Sequence, residues 1–156
     1  MKIALETVKD NTVIYCRTGI SFPSGSEEML QPSEVIAAKL LPTIRARLSH
    51  ELLVVHRMKQ VRVAHALGIT QAAVSHYNTK SRGLDDELIR RFPEIKGFCE
   101  DLARSIAGGL PQTEQVARID EFTDGLMHTA RFCDYHKKIT DIDPNCAICF
   151  PSPPKP

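Results

Sequence analysis

The sequence contains no tryptophan, and only 6% of its residues are aromatic. Modules that bind single-stranded RNA stack bases on aromatic side chains, so this scarcity argues against them. No apolar run approaches the roughly 20 residues of a membrane span, and the N-terminus lacks the basic and apolar regions of a signal peptide. A glycine-rich phosphate loop and obvious acid–base pairs are also missing from the sequence. These absences predict a cytoplasmic protein that is not an enzyme and does not bind membranes.

Basic residues are concentrated in the middle of the chain. Residues 31–83 contain eight Lys or Arg and only two Asp or Glu. Residues 1–30 contain three basic and four acidic residues, and residues 84–156 contain nine basic and 13 acidic residues. A basic segment between acidic flanks is the charge distribution expected of a single DNA-binding face.

The segment 59–83, KQVRVAHALGITQAAVSHYNTKSRG, predicts two short helices joined by a tight turn. Gly68 ends the first helix, and Thr70 caps a second helix that runs from Gln71 to about Tyr77. A small residue, Ala64, would lie where the helices cross, and Val74 would anchor the second helix, as a helix-turn-helix requires. The alternative is a generic helical hairpin. The apolar stripe of the first helix consists of Val61, Val63, Ala64 and Leu67.

The second helix of this pair is predicted to read DNA. Gln71 and Ala72 lie at its N-terminal end, where recognition helices meet base edges. A glutamine can pair with adenine through two hydrogen bonds, and an alanine can contact the thymine methyl group. Basic residues after the helix would contact phosphates, as would some of Arg45, Arg47 and Arg57 before it. The predicted DNA-binding residues are Thr70, Gln71, Ala72, Ser75, His76, Thr79, Lys80 and Arg82.

The rest of the chain is predicted to be mostly α-helical around this helix-turn-helix domain, which spans residues 31–83. Residues 1–30 form a β-prone extension that contains a candidate hairpin. A helix opened afresh by Pro42 precedes the pair. Residues 84–150 form a helical dimerisation and cysteine-rich region, with one helix kinked at Pro93 and another capped by Thr113, and residues 151–156 form a proline-rich disordered tail.

Four cysteines and a histidine suggest a metal site near the C-terminus. In the sequence CDYHKKITDIDPNCAICF, nine residues separate the pair Cys133 and His136 from the pair Cys146 and Cys149. These four residues have the two-pair spacing of a structural zinc site, which spacing alone favours slightly. A four-thiolate iron–sulfur set would instead combine Cys99 with Cys133, Cys146 and Cys149. The alternative is a cluster of buried cysteines, and Cys16 is read as a small buried hydrophobe.

The distance between Cys99 and Cys133 is a difficulty for the iron–sulfur set. If residues 93–107 and 113–133 were straight antiparallel helices, Cys99 would lie about 13 Å from the turn and Cys133 about 30 Å from it. One cluster could not bridge that gap. The sequence Asp124-Gly125 is a turn signal, so we expect the second helix to break there; otherwise Cys99 would come from a partner subunit.

The segment 42–83, which contains VAHALGITQAAVSHY and ends in SRG, resembles lambda-repressor-like (XRE-type) helix-turn-helix regulators of archaea and bacteria. The resemblance covers about residues 32–83. Short members of this group end in a cysteine-rich segment similar to the one here, often with an upstream cysteine. The resemblance implies a regulator that responds to redox state, oxygen or iron through an iron–sulfur cluster, with [4Fe–4S] favoured over [2Fe–2S]. The β-prone N-terminal extension departs from the pattern.

Together these features predict a homodimeric transcription regulator that binds a palindromic site on double-stranded DNA. An iron–sulfur cluster in the C-terminal segment would control its DNA affinity. Two other functions are left open. One is a regulator with a purely structural zinc ion, and the other is an antitoxin-like module whose C-terminal part binds a protein partner.

Overall fold

The computed structural model describes residues 30–79, 85–140 and 142–146. This part of the chain is mostly helical and contains no strand, which confirms the mostly α prediction. The β-prone extension predicted for residues 1–30 lies outside the described residues, except for Leu30, and so does its candidate hairpin. None of the helices described is long and apolar enough to cross a membrane. The helices are α1 (Pro32–Val35), α2 (Leu41–His50), α3 (Gln60–Leu67), α4 (Gln71–Asn78), α5 (Asp86–Arg91), α6 (Glu94–Ala107), α7 (Gln112–Met127) and α8 (Ala130–Ile139).

The first helical segment runs without interruption over residues 32–55, because π-helical turns (Ile36–Leu40 and Glu51–Val55) continue α1 and α2. The prediction that Pro42 opens a fresh helix was therefore wrong. Proline has no N–H to donate and its ring crowds the preceding turn. The turn before it widens, so that the N–H of Leu41 donates to the Ile36 carbonyl. The Thr43 hydroxyl also donates to the carbonyl of Lys39 at 2.8 Å.

Helix α2 lies at the centre of the core. Its residues Ile44, Leu48 and Leu52, the last in the π-helical turn, are spaced four apart and are fully buried, as expected for the inner stripe of a helix. The helix packs against α4 on one side and α6 on another. The pair formed by α3 and α4 is therefore built onto the same core as the C-terminal helices.

The segment predicted as one helix kinked at Pro93 is two helices in the described residues. Helix α5 ends at Arg91 and α6 begins at Glu94, because the residue before a proline is disfavoured in helical conformation and Phe92 has an extended φ of −125°. Its ring is buried and meets Tyr135 of α8 edge-on, with ring centroids 5.9 Å apart. The break thus supplies the aromatic contact that holds α8.

The predicted helix over residues 113–133 does break, but α7 continues through Gly125 to Met127, so the predicted position of the break was wrong by about three residues. Asp-Gly favours a turn only where the glycine adopts a positive φ, and Gly125 has no such φ. Phe122 and Leu126, one helical turn apart, instead pack against the core. The turn comes at His128 and Thr129, where the Thr129 hydroxyl accepts a hydrogen bond from the N–H of Phe132 at 3.2 Å and caps α8.

The start of α7 also differs from the prediction. Helix α7 begins at Gln112 after Pro111, and no side chain caps it. Thr113, predicted as the cap, is an exposed residue inside the first turn. A proline before a helix has its φ fixed near the helical value. Pro111 therefore marks the start of α7 in place of a capping hydroxyl.

Candidate nucleic-acid interface

The turn between α3 and α4 follows the sequence prediction closely. Gly68 has a φ of +63°, a left-handed conformation that glycine adopts without a steric penalty. The N–H of Ile69 donates to the carbonyl of Ala64 at 3.0 Å, which satisfies the end of α3. The Thr70 hydroxyl then accepts a hydrogen bond from the N–H of Ala73 at 3.1 Å. The two helices are thus separated by three residues of defined conformation.

Helix α4 is held by one fully buried side chain, Val74. It packs against both α2 and α3, and Ala64 is nearly buried where a small residue was predicted. Val61, placed in the apolar stripe of α3 by its spacing, is 63% exposed. The stripe is therefore carried by Val63, Ala64 and Leu67.

The outer face of α4 is polar and exposed. Most of the predicted DNA-binding residues lie on it or at its N-terminus, and all of those described are exposed: Thr70, Gln71, Ala72, Ser75, His76 and Thr79. The Thr79 hydroxyl donates to the backbone of the last turn. Lys80 and Arg82 lie outside the described residues.

The arginines predicted to contact phosphates differ in their surroundings. Arg47 is held by Glu51 at 2.8 Å and by Glu100 at 3.6 Å, so it belongs to a network between the first helical segment and α6. Arg57 is exposed and has a φ of +52°, the only positive value among the non-glycine residues described. It turns the chain from the first helical segment into α3. Arg45 faces α7 rather than α4, in a groove described below.

Exposed basic residues border the start of α3. Lys59 precedes α3 and Arg62 lies in its first turn, and both are exposed. Together with Arg57 they form a basic cluster, which we call the α3 basic cluster. None of the three side chains has an ion-pair partner among the described residues. Their charges are thus available to an anionic ligand.

One contact of the turn was not expected from the sequence. The side-chain amide of Gln112, the first residue of α7, donates to the carbonyl of His65 at 2.6 Å. The same carbonyl also accepts a hydrogen bond from the N–H of Gly68 at 3.3 Å. The 47-residue separation offers no local sequence signal for this contact. It ties the C-terminal helices to the turn at Gly68.

Cys99 lies in the core and not in a ligand group. It is fully buried on α6, with its sulfur 4.0 Å from the carbonyl oxygen of Ile44. Burial raises the pKa of its thiol to about 12, whereas a cluster ligand is a thiolate. A place for Cys99 in the four-thiolate set stays a prediction.

Cys133, His136 and Cys146, which are further predicted ligands, lie on or near α8. Cys149 and Cys16 lie outside the described residues. Cys133 is 8% exposed, and His136 is buried with its Nε2 2.6 Å from the carbonyl oxygen of Leu30. Cys146 is half-buried in the segment after α8. The ammonium of Lys137 on α8 holds this segment by donating a hydrogen bond to the Pro144 carbonyl at 2.7 Å.

In the described part of the chain, no three His, Cys, Asp or Glu side chains come together to hold a metal ion. The structure thus brings the segment carrying Cys146 back to α8 without assembling a site from Cys133, His136 and Cys146. Metal binding stays a prediction.

Comparison with known proteins found no matching family model, no matching curated protein and no matching solved structure. The resemblance to lambda-repressor-like regulators therefore stays a prediction from the motif.

Proposed function

We propose that this protein is a sequence-specific DNA-binding transcription regulator in which α4 enters the major groove. The observation that supports this most strongly is that α4 has one buried face and one exposed face. One face is fixed to the core through Val74, while the opposite face carries only exposed small and polar residues. A recognition helix needs a rigid seat and a solvent-exposed face that can reach base edges.

The residues at the start of α4 supply the proposed base contacts. Gln71 and Ala72 are exposed in its first turn, and the Thr70 cap fixes the direction in which that turn points. A glutamine amide matches the N6 and N7 atoms of adenine in the major groove, and an alanine methyl group fits the thymine methyl. The α3 basic cluster would contact phosphates and would supply affinity without sequence preference.

The proposed regulator acts as a homodimer. Two copies of α4 would enter successive major grooves roughly 34 Å apart, so the binding site would be palindromic. The contact between Gln112 and His65 supports coupling between the C-terminal helices and this pair, since it joins α7 to the end of α3.

A metal ion is a separate part of the proposal. The residues proposed as its ligands are Cys133, His136, Cys146 and Cys149, without Cys99. The buried ring of His136 supports this choice, because metal-binding histidines commonly donate their second ring N–H to a backbone carbonyl, and Leu30 offers one. A zinc ion bound there would supply a structural crosslink. The iron–sulfur sensor predicted from the resemblance would need a fourth ligand other than Cys99.

The proposed function is tested by selection from a library of randomised DNA duplexes with the full chain. We expect enrichment of a palindromic sequence with half-sites one helical turn apart, about 10 base pairs from centre to centre. The matched control is a variant with Gln71→Ala and Ser75→Ala, which should retain salt-sensitive binding and enrich no sequence. Failure of the wild-type chain to enrich any sequence would contradict the proposal.

A further inference from the structure

An apolar groove lies between the first helical segment and α7, on a part of the surface that the proposed DNA contacts do not use. Its volume is about 220 Å³. One wall carries Ile36, Leu41 and Ile44, and the other carries Val116 and Ile119. Val116 is 66% exposed, although the hydrophobic effect favours removing such a side chain from water.

The wall formed by α7 has the pattern of a helix face that packs against another surface. Val116, Ile119 and Thr123 are spaced three and four residues apart, so they lie on one side of the helix. Ile119 packs against the core together with Phe122 and Leu126, and Thr123 is buried. Val116 continues this stripe beyond the core, so α7 exposes an apolar side chain at the groove.

The two walls of the groove carry opposite charges. Arg45 lies on the wall formed by α2, and Asp120 lies on the wall formed by α7. Both are exposed, and neither forms an ion pair with the other or with any residue that the structure describes. A cation and an anion on opposite walls make this surface complementary to itself.

We propose that this groove is the surface through which two copies of the chain pair about a two-fold axis. A two-fold interface uses the same surface twice, and each contact occurs in duplicate. When one groove faces another in this way, α2 of one copy meets α7 of its partner. Arg45 then pairs with the partner's Asp120, and Val116 is covered by the partner's apolar wall.

This inference rests on the proposed function in one respect, since it names the interface of the homodimer that would bind palindromic DNA. It places the interface on a groove formed by both the N-terminal helices and α7, whereas the sequence assigned dimerisation to residues 84–150 alone.

The test is a pair of reciprocal charge reversals, Arg45→Glu and Asp120→Arg, measured by sedimentation without DNA. The wild-type chain should sediment as a dimer. Each variant alone places like charges together twice per dimer, so its dimer dissociation constant should rise by roughly tenfold or more. An equimolar mixture should recover wild-type affinity as a heterodimer, because Glu at position 45 then meets Arg at position 120, and Arg45 meets Asp120.

The control is Arg104→Glu, which reverses an exposed charge on α6 outside the groove and should leave the dimer unchanged. Circular dichroism checks that each variant keeps the wild-type helix content. Recovery on mixing cannot come from a misfolded chain, so it separates pairing from a folding defect.

A wild-type mass of one chain would overturn the inference, as expected if the chain's own residues 1–29 cover the groove. Reversals that leave a wild-type dimer intact, or variants that fail to recover on mixing, would overturn it too. A stable dimer that selects no DNA sequence would contradict the proposed function alone. A monomer that binds single half-sites would contradict the interface and the proposed homodimer, and would leave the base readout by α4 standing.

Discussion

Replacement of two glycines by alanine should have opposite effects on stability, because their backbone conformations differ. Gly68 has a φ of +63°, and an added Cβ would meet no closer atom than the Gln112 amide nitrogen at 3.8 Å. Space is therefore sufficient, and the cost of Gly68→Ala comes from the left-handed backbone, roughly 1–2 kcal/mol for an L-residue. Restriction of the unfolded chain offsets part of that cost. We expect a net destabilisation of about 1 kcal/mol.

Gly125 lies inside α7 without a positive φ, and no atom lies within 4 Å of an added Cβ. Alanine is preferred over glycine inside a helix by roughly 0.8–1 kcal/mol. Gly125→Ala should therefore stabilise the protein by up to that amount. For a folded unit of about this size, each kcal/mol corresponds to a Tm change of roughly 4 °C.

Thermal and urea unfolding followed by circular dichroism would measure both effects. The matched control is Gly97→Ala, because Gly97 lies inside α6 with equally open space and should behave like Gly125. A Tm for Gly68→Ala at or above the wild-type value would refute the assigned turn. A lower Tm for Gly125→Ala, with Gly97→Ala stabilising as expected, would show that α7 ends before Gly125 and not at Met127.

Three further predictions concern the cap, the readout residue and the cysteines. Thr70→Ala removes the hydroxyl that caps α4 and should lower the free energy of unfolding by about 1 kcal/mol. Thr113→Ala removes no cap and should leave unfolding by urea nearly unchanged. Equal effects of the two substitutions would contradict the cap assignments. Gln71→Ala should weaken binding to the selected duplex by roughly 1–3 kcal/mol, measured by fluorescence anisotropy. Binding to a random duplex should be unaltered. An equal loss of affinity for both duplexes would remove Gln71 from the base readout. Metal analysis of protein purified without oxygen should find that Cys99→Ala retains the metal and that Cys149→Ser loses it. If Cys99→Ala kept its fold and lost the metal while Cys149→Ser retained it, Cys99 would return to the ligand set.

The pair formed by α3 and α4 could be predicted from the sequence because its signals are local. Gly68 and Thr70 act within a few residues of themselves, through a positive φ and a hydrogen bond to a backbone N–H three residues away. The buried position of Val74 follows from its spacing along the helix. Such features depend little on the rest of the chain.

The errors arose where tertiary packing overrides a local signal. Asp124-Gly125 has the composition of a turn, but Phe122 and Leu126 pack against the core and keep that stretch helical. Pro42 has the composition of a helix start, but a wide π-helical turn accommodates it.

The burial of Cys99 follows from its position along α6. Its spacing from Ile95 and Leu102 places it on the buried stripe of α6, and this helical pattern was a better guide to its surroundings than the presence of other cysteines. The contact between Gln112 and His65 is set by how α7 lies against α3, which no local pattern encodes.

The central claim is that α4 reads base edges in the major groove, and base-analogue substitution within the selected duplex tests it most directly. Exchange of an A·T pair for inosine·5-methylcytosine changes the hydrogen-bonding pattern in the major groove and leaves that of the minor groove unchanged. If α4 reads base edges, at least one such exchange in each half-site should lower the affinity of the wild-type chain by roughly tenfold, and Gln71→Ala should abolish this difference. Equal affinity for every exchanged duplex would contradict it.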